Sequence, residues 1–395
     1  MQREVHLIGG TRSEAIRLAP VALAMRDAGL LQPIMLAAGQ HTTTVTRTLA
    51  AFGLVPDITV AAAAERTAGS PDDTLPGLIQ ELDELWSVRT PAAVIVQGDT
   101  TVSLAGALAA FWRRVPVVHL EAGVRSDDLG SSSPQEANRR LLAQMATLHL
   151  APTPLAAMNL LDEQIAHTDV LVTGTTVVDA TLAVTSRRMP FQNAAVAAAR
   201  QDSTNRLVLV TAYGSGSGND PLGHIPAAVR ELVGRHPDVE VVLATRPDQA
   251  AQTAAEGTLA GVPRVTVTGP LSYPDLSRLL CEAYLVLTDS DGIAEEATAF
   301  GVPTLVPRDG GEPALSLTAE RVKTIGSDTE GIVAEASALL DSRFRRDAMA
   351  AGNTPYGDGL AARRTAQAAA ALLGLAPAPD AMPVSVNVLS SGAHA

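Results

Sequence analysis

VIVQGDTTVSLAGALAAFWRRVPVVHLEAGVRSDDL, residues 94–129, is the stretch whose reading decides the fold. Two apolar runs, 93–96 and 115–119, lead into acids set among small residues: Gly98-Asp99-Thr100 and His119-Leu120-Glu121-Ala122-Gly123. A helical pattern separates them, so the segment reads as one strand–helix–strand unit. In an open parallel sheet, neighbouring strands place their C-terminal ends side by side, and ligands bind in the crevice outside those ends. Asp99 and Glu121 are therefore expected to share a site. Two acids in different environments can divide acid and base roles.

The same alternation runs outward in both directions. Strand 4–8 is followed by Gly9-Gly10-Thr11 and helix 13–28. Ser13 reads as the N-cap of that helix, and with the next acid at Glu14 no capping box is expected. Strand 32–37 leads to Gly39-Gln40-His41 and another helix. Helix 136–146 follows a Gly/Ser-rich loop and precedes strand 148–151, and strand 170–173 ends the first half. The second half has strands at 207–211, 240–244, 264–268, 284–288 and 304–306, with helices at 225–235, 272–282, 292–300, 329–340 and 359–373. This βα order predicts an α/β fold with doubly wound parallel sheets. The repeated layout predicts two Rossmann-like domains, 1–178 and 179–356, facing a central cleft. The segment 376–395 is rich in Pro, Ala, Ser and Val without periodicity and is predicted to be disordered.

Composition narrows the function. The net charge is −13 and the pI is near 5.0, so the chain offers no basic footprint for nucleic acid. No uncharged apolar run reaches the length of a membrane span, and no signal-like segment precedes the first strand. A cytoplasmic protein without a membrane partner is expected. Lys323 is the only lysine and lies in a late strand with no Gly-rich loop before it, which speaks against a Walker or Schiff-base role. Cys281 is the only cysteine, which excludes an internal disulfide and a Cys-rich metal site. Its setting, LSRLLCEAYLVL, reads as a buried core thiol. His119 and Glu121, at i and i+2 of a strand end, are expected on one side. Two such groups without a third ligand fall short of a metal site. Asp127-Asp128 reads as a solvated loop pair. No convincing metal cluster stands out and no G-x-G-x-x-G follows the first strand, so neither a metal nor a redox cofactor is expected.

Eight segments in order, GTRSEAI (10–16), GQH (39–41), GDTT (98–101), HLEAGVR (119–125), EANR (136–139), GTTVVD (174–179), DSDGIAEE (289–296) and PYGDG (355–359), together resemble the non-hydrolysing UDP-N-acetylglucosamine 2-epimerases. The resemblance implies a GT-B fold, a C-terminal helix at 357–375 returning to the first domain, and a homodimer. It implies a UDP-sugar substrate inverted at C2: a base removes the C2 proton while UDP leaves C1, and UDP adds back after reprotonation on the other face. Arg12, in the first strand-to-helix turn, is then a diphosphate partner, because helix N-termini favour anions. Ser290 and Gly292 open a second such helix end, and Glu296 suits the ribose diol, since a carboxylate accepts two hydrogen bonds. Arg139 reads equally as a phosphate partner or a structural ion pair. Asp99 and Glu121 become the sugar-side acids, with helix capping or loop anchoring as the alternative for each. His41 and His119 read as structural or positioning groups.

The pattern breaks where the chemistry lies. Gln135 stands where the family has an acid, and Gln cannot act as a carboxylate base. Ala212-Tyr213-Gly214-Ser215-Gly216 replaces the family's Gly-His-Arg-Arg-Glu, so Tyr213 stands for a histidine. An arginine and a glutamate are missing near 308–313, Thr42-Thr43-Thr44 lacks the usual charges, and Asp291 takes a glycine's place. These changes predict a weakened regulatory site and leave three readings open: a 2-epimerase, a nucleotide-sugar hydrolase or transferase, or a non-catalytic UDP-sugar-binding homologue.

Overall fold

The computed structural model describes residues 2–61, 74–126, 134–212, 221–246, 248–308 and 319–383. The chain divides into two compact units, Met1–Ala183 with Pro355–Val384, and Val184–Thr354. The first holds strands β1 (Arg3–Gly9), β2 (Leu31–Gly39), β3 (Ile58–Ala61), β4 (Ala93–Gln97), β5 (Val117–Leu120), β6 (Leu148–Ala151) and β7 (Val170–Val172). They form one sheet in the order β3-β2-β1-β4-β5-β6-β7. The second holds β8 (Arg206–Ala212), β9 (Val239–Thr245), β10 (Val265–Thr268), β11 (Leu285–Thr288), β12 (Thr304–Pro307) and β13 (Val322–Ile325), ordered β10-β9-β8-β11-β12-β13. The described strand pairs are all parallel. This is the doubly wound α/β architecture that the alternation predicts. Central strands such as β4 and β9 are buried along their whole length, because helices cover both faces of a parallel sheet.

In both sheets the winding reverses beside the first strand: between β1 and β4, and between β8 and β11. These topological switch points are where an open α/β sheet leaves a crevice at its C-terminal edge.

Several details differ from the sequence reading. The first helix is Arg12–Ala28, and its N-cap is Thr11, not Ser13; Glu14 completes a capping box with Thr11. β5 starts at Val117 instead of 115, because the Val115 N–H closes the preceding helix on Ala110 O at 2.9 Å, and Pro116 has no N–H to give. Cys281 is exposed. On the helix Tyr273–Glu282, Leu276, Leu279 and Leu280 point into the core, and the next step of the helix turns Cys281 outward. Its thiol pKa is still raised, by the packing around it and by Glu282, so it is a weak nucleophile as well as an exposed one.

The C-terminal helix, Ala361–Leu372, belongs to the first unit. Asp179 accepts from its first amides, Ala361 N at 3.3 Å and Ala362 N at 2.9 Å. Thr175 N donates to Tyr356 O at 2.6 Å. Arg364 binds Asp358 through two bonds, 2.7 and 2.6 Å, and reaches Thr173 O at 3.1 Å. The GTTVVD and PYGDG segments thus clasp each other. Beyond Ala376 the chain is not loose at once: Met382 is buried and its N–H donates to Val172 O at 2.8 Å. Residues 384–395 lie outside the described residues.

Candidate active site

At the switch point of the first unit, Gly10-Thr11-Arg12 follows β1 and Gly98-Asp99-Thr100 follows β4. Arg12 is the first residue of its helix and half-buried. Asp99 is half-buried and ion-paired with Arg139. Its backbone carbonyl accepts from Asn138 Nδ2 at 2.9 Å, and both Asn138 and Arg139 come from the helix Gln135–Met145. That helix is held by Glu136, whose buried carboxylate accepts from Ser126 N at 2.8 Å and Arg140 Nε at 3.0 Å. Burial raises the Glu136 pKa, but the bonds from Ser126 and Arg140 outweigh it and leave it lowered.

Beneath these turns lies a residue that sequence reading assigned no role. Glu14 is 1% exposed. One carboxylate oxygen accepts from Gly10 N and Thr11 N, both at 2.8 Å. The other accepts from Thr100 Oγ1 at 2.6 Å and Ser103 Oγ at 2.8 Å. Burial raises its pKa, and the four donors offset part of that.

Glu121 lies just past β5, one strand over. Its backbone is left-handed, φ +63°, a conformation that carries strain for a residue with a Cβ. That turn breaks the strand alternation, so the i, i+2 expectation for His119 and Glu121 does not apply. The Glu121 carboxylate accepts from Thr176 N at 3.3 Å and lies 3.8 Å from Arg17 Nε. His119 is buried, and its Nε2 lies 2.8 Å from Gly98 O. A carbonyl only accepts, so that nitrogen carries the proton. Burial pushes the imidazole pKa down to about 3. A ring that stays neutral and points at a backbone carbonyl positions the Gly98 turn.

In the second unit, the strands flanking the switch point are joined by hydroxyls: Thr211 Oγ1 and Thr288 Oγ1 are 2.6 Å apart. Thr288 Oγ1 also accepts from Ser290 N at 3.0 Å. Ser290 is the N-cap of the helix Asp291–Thr298 and makes no side-chain capping bond. A Cβ on Gly292 would meet nothing nearer than Ser290 Oγ at 4.0 Å. Glu296 is buried one turn further on. Asp291, the extra acid at this helix end, is paired with Arg308. A helix N-terminus suits an anion.

The family model of UDP-N-acetylglucosamine 2-epimerase matches residues 23–370. The chain belongs to that family. It is 34% identical over 369 residues to the UDP-N-acetylglucosamine 2-epimerase of Escherichia coli K12, covering 92% of this chain and 98% of that one. The S. aureus MnaA–UDP co-structure superposes with a TM-score of 0.83 at 30% identity, covering 97% of this chain and 100% of that chain. The Neisseria meningitidis UDP-GlcNAc 2-epimerase bound to UDP-GlcNAc gives 0.79 at 30% identity, covering 91% and 97%. The fold is accordingly of the GT-B type.

Within this epimerase-family frame, the structure brings Arg12, Asp99 and Arg139 together around one switch point and sets Glu121 on the next strand end. Ser290, Gly292 and Glu296 gather on one helix in the second unit. Gln135 is exposed at the start of its helix. Tyr213, with Gly214, Ser215 and Gly216, lies outside the described residues, as do Asp127 and Asp128. Lys323 sits in β13, bonded to Glu335 at 2.7 Å. Among the described residues, no three His, Cys, Asp or Glu side chains gather to hold a metal, and no helix is long and apolar enough to cross a membrane. Glu14, Asn138, Arg17 and Thr176 are the residues that sequence reasoning missed. Their bonds join positions far apart in the chain, so no local pattern announces them.

Proposed function

We propose that the chain interconverts UDP-GlcNAc and UDP-ManNAc. The base takes the C2 proton as the C1–O bond breaks and its electron pair leaves with UDP. Protonation of the resulting C1=C2 glycal at C2 from the opposite face and re-addition of UDP at C1 complete the inversion. The observation that carries this reading is the pair Asp99 and Glu121 on neighbouring strand ends beside the switch point, in a chain matched by the family model from 23 to 370. Asp99 is fixed by Arg139 and Asn138, and Glu121 by Thr176 N–H and Arg17. The two carboxylates therefore sit in different settings, as an acid and a base must. In the second unit Ser290 and Gly292 suit the diphosphate and Glu296 the ribose hydroxyls, and in the first unit Arg12 supplies a cation at the switch point. With Gln135 in place of an acid and Tyr213 in place of a histidine, the proton transfers fall to Asp99 and Glu121. We also propose a cytoplasmic homodimer, which light scattering on the purified protein tests.

The decisive experiment is incubation with UDP-GlcNAc in D2O, followed by NMR. UDP-ManNAc with deuterium at C2 is expected. Absence of both overturns the proposal, and free sugar or a new glycoside in their place points to hydrolysis or transfer.

A further inference from the structure

We propose that Glu14 is a positioning residue: it couples the turn that carries Arg12 to the turn that carries Asp99 and so fixes their spacing across the switch point. A capping box needs only one carboxylate oxygen, reaching back to the start of its own helix. Glu14 does this with one oxygen, on Gly10 N and Thr11 N. The other oxygen crosses to the next helix and takes the hydroxyls of Thr100 and Ser103. Thr100 in turn caps that helix, accepting from Ser103 N at 3.1 Å. Two backbone amides and the Thr100 hydroxyl donate to one carboxyl group, and Ser103 Oγ, which also lies 2.6 Å from Gln97 O, packs against the same oxygen as Thr100.

Packing tightens the same join. A Cβ on Gly10 would stand 2.4 Å from Val102 Cγ2 and 3.0 Å from Ala38 O, and one on Gly39 would stand 3.0 Å from Val102 Cγ2. Val102 lies one turn from Asp99, so the three strand-to-helix turns after β2, β1 and β4 interlock with no room for a side chain. The Asp99 turn is then gripped from three elements: by Glu14 on Thr100, by His119 on Gly98 O and by Asn138 on Asp99 O. A buried carboxylate costs stability that an apolar contact would not. Its presence between two turns is explained by what the turns carry. A reacting group misplaced by about 1 Å can lose about 10²-fold in rate.

This inference rests on the proposed epimerase reaction for its consequence but not for its geometry, and the test separates the two. Hydrogen exchange read by mass spectrometry follows residues 9–14 and 98–104 in the wild type, Glu14→Gln and Thr100→Val. Glu14→Gln should lose protection in both segments together. Thr100→Val, which keeps the carboxylate and the capping box, should loosen 98–104 and serves if Glu14→Gln does not fold. C2 deuterium incorporation should fall about 10²-fold in Glu14→Gln and roughly tenfold in Thr100→Val, a steeper loss than any that calorimetry shows in UDP affinity. Protection lost only in 9–14, or turnover falling no more than UDP affinity does, overturns the inference. A wild type that exchanges no deuterium overturns the reaction instead, and the exchange data still decide the coupling.

Discussion

The two units wind their sheets in the same order, yet they join the strands at the switch point differently. In the first, a buried carboxylate spans the turns after β1 and β4. In the second, two threonine hydroxyls meet at the ends of β8 and β11, 2.6 Å apart. A carboxyl group with two acceptor oxygens ties both turns at one point, through backbone amides on one oxygen and a threonine hydroxyl on the other. A hydroxyl pair donates and accepts, adapts by rotation and leaves the local field near neutral. The difference matches what each crevice holds. Ion-paired acids, Asp99 and Glu121, stand at the first. At the second stand a helix N-terminus and Gly292, proposed to take the diphosphate, with Asp291 paired to Arg308. The crevice proposed to move a proton has the carboxyl join, and the one proposed to bind the diphosphate has the hydroxyl pair.

The comparison breaks first at the acids. Asp99→Asn and Glu121→Gln should each lower C2 deuterium incorporation by about 10²–10⁴-fold, the usual worth of a general acid or base. UDP affinity should change little in either, because the anion-binding residues are untouched. If one amide variant keeps near-wild-type exchange, that acid is a loop anchor: Glu121 would then serve Thr176 and Arg17 alone.

A second test uses the clasp that the first unit builds from charge. Burial pushes the Asp179 carboxyl up to about 7, from an ordinary value of 3.8. The folded state therefore holds a proton that the unfolded chain releases across this window. Stability should be greatest below about pH 4 as far as this group is concerned, and should decline as pH rises through 7. The size is on the order of a few kcal/mol. Denaturant unfolding of the wild type and Asp179→Asn at pH 5, 6, 7 and 8 reads it. The wild type should lose stability relative to the variant from pH 5 to about 7 and level off by pH 8. Parallel curves would show that the helix amides of Ala361 and Ala362 hold the carboxylate ionised.

Much of this fold was legible because strands covered on both faces are largely apolar; β6, although it holds His149, begins and ends where the sequence places it. β3 left no such mark: of its four residues only Val60 is buried. The acids at the strand ends were visible for the same reason, since a charge closing an apolar run stands out. Glu14 was equally visible as a letter but not as a part. Its cap was assigned to Ser13, and its second oxygen meets residues 86 and 89 positions away. Cys281 was misplaced because a run of leucines conceals which residue the helix turns outward. The GTTVVD and PYGDG segments carried the family resemblance, but nothing in either stretch told that Thr175 N–H meets Tyr356 O.

The smallest expected effect sharpens the comparison most. Thr211→Val removes one hydroxyl of the second unit's join and should cost about 1 kcal/mol. Thr288→Val should cost more, about 1–3 kcal/mol, because Thr288 also holds Ser290 N at 3.0 Å. That second loss should appear as weaker UDP binding, measured by calorimetry, with the ratio of turnover to UDP affinity unchanged. Turnover that falls in Thr211→Val as steeply as in Glu14→Gln would mean that position at a switch point matters and the charge of the join does not. Turnover that holds would locate the need for stiffness in the first unit, where the acids stand.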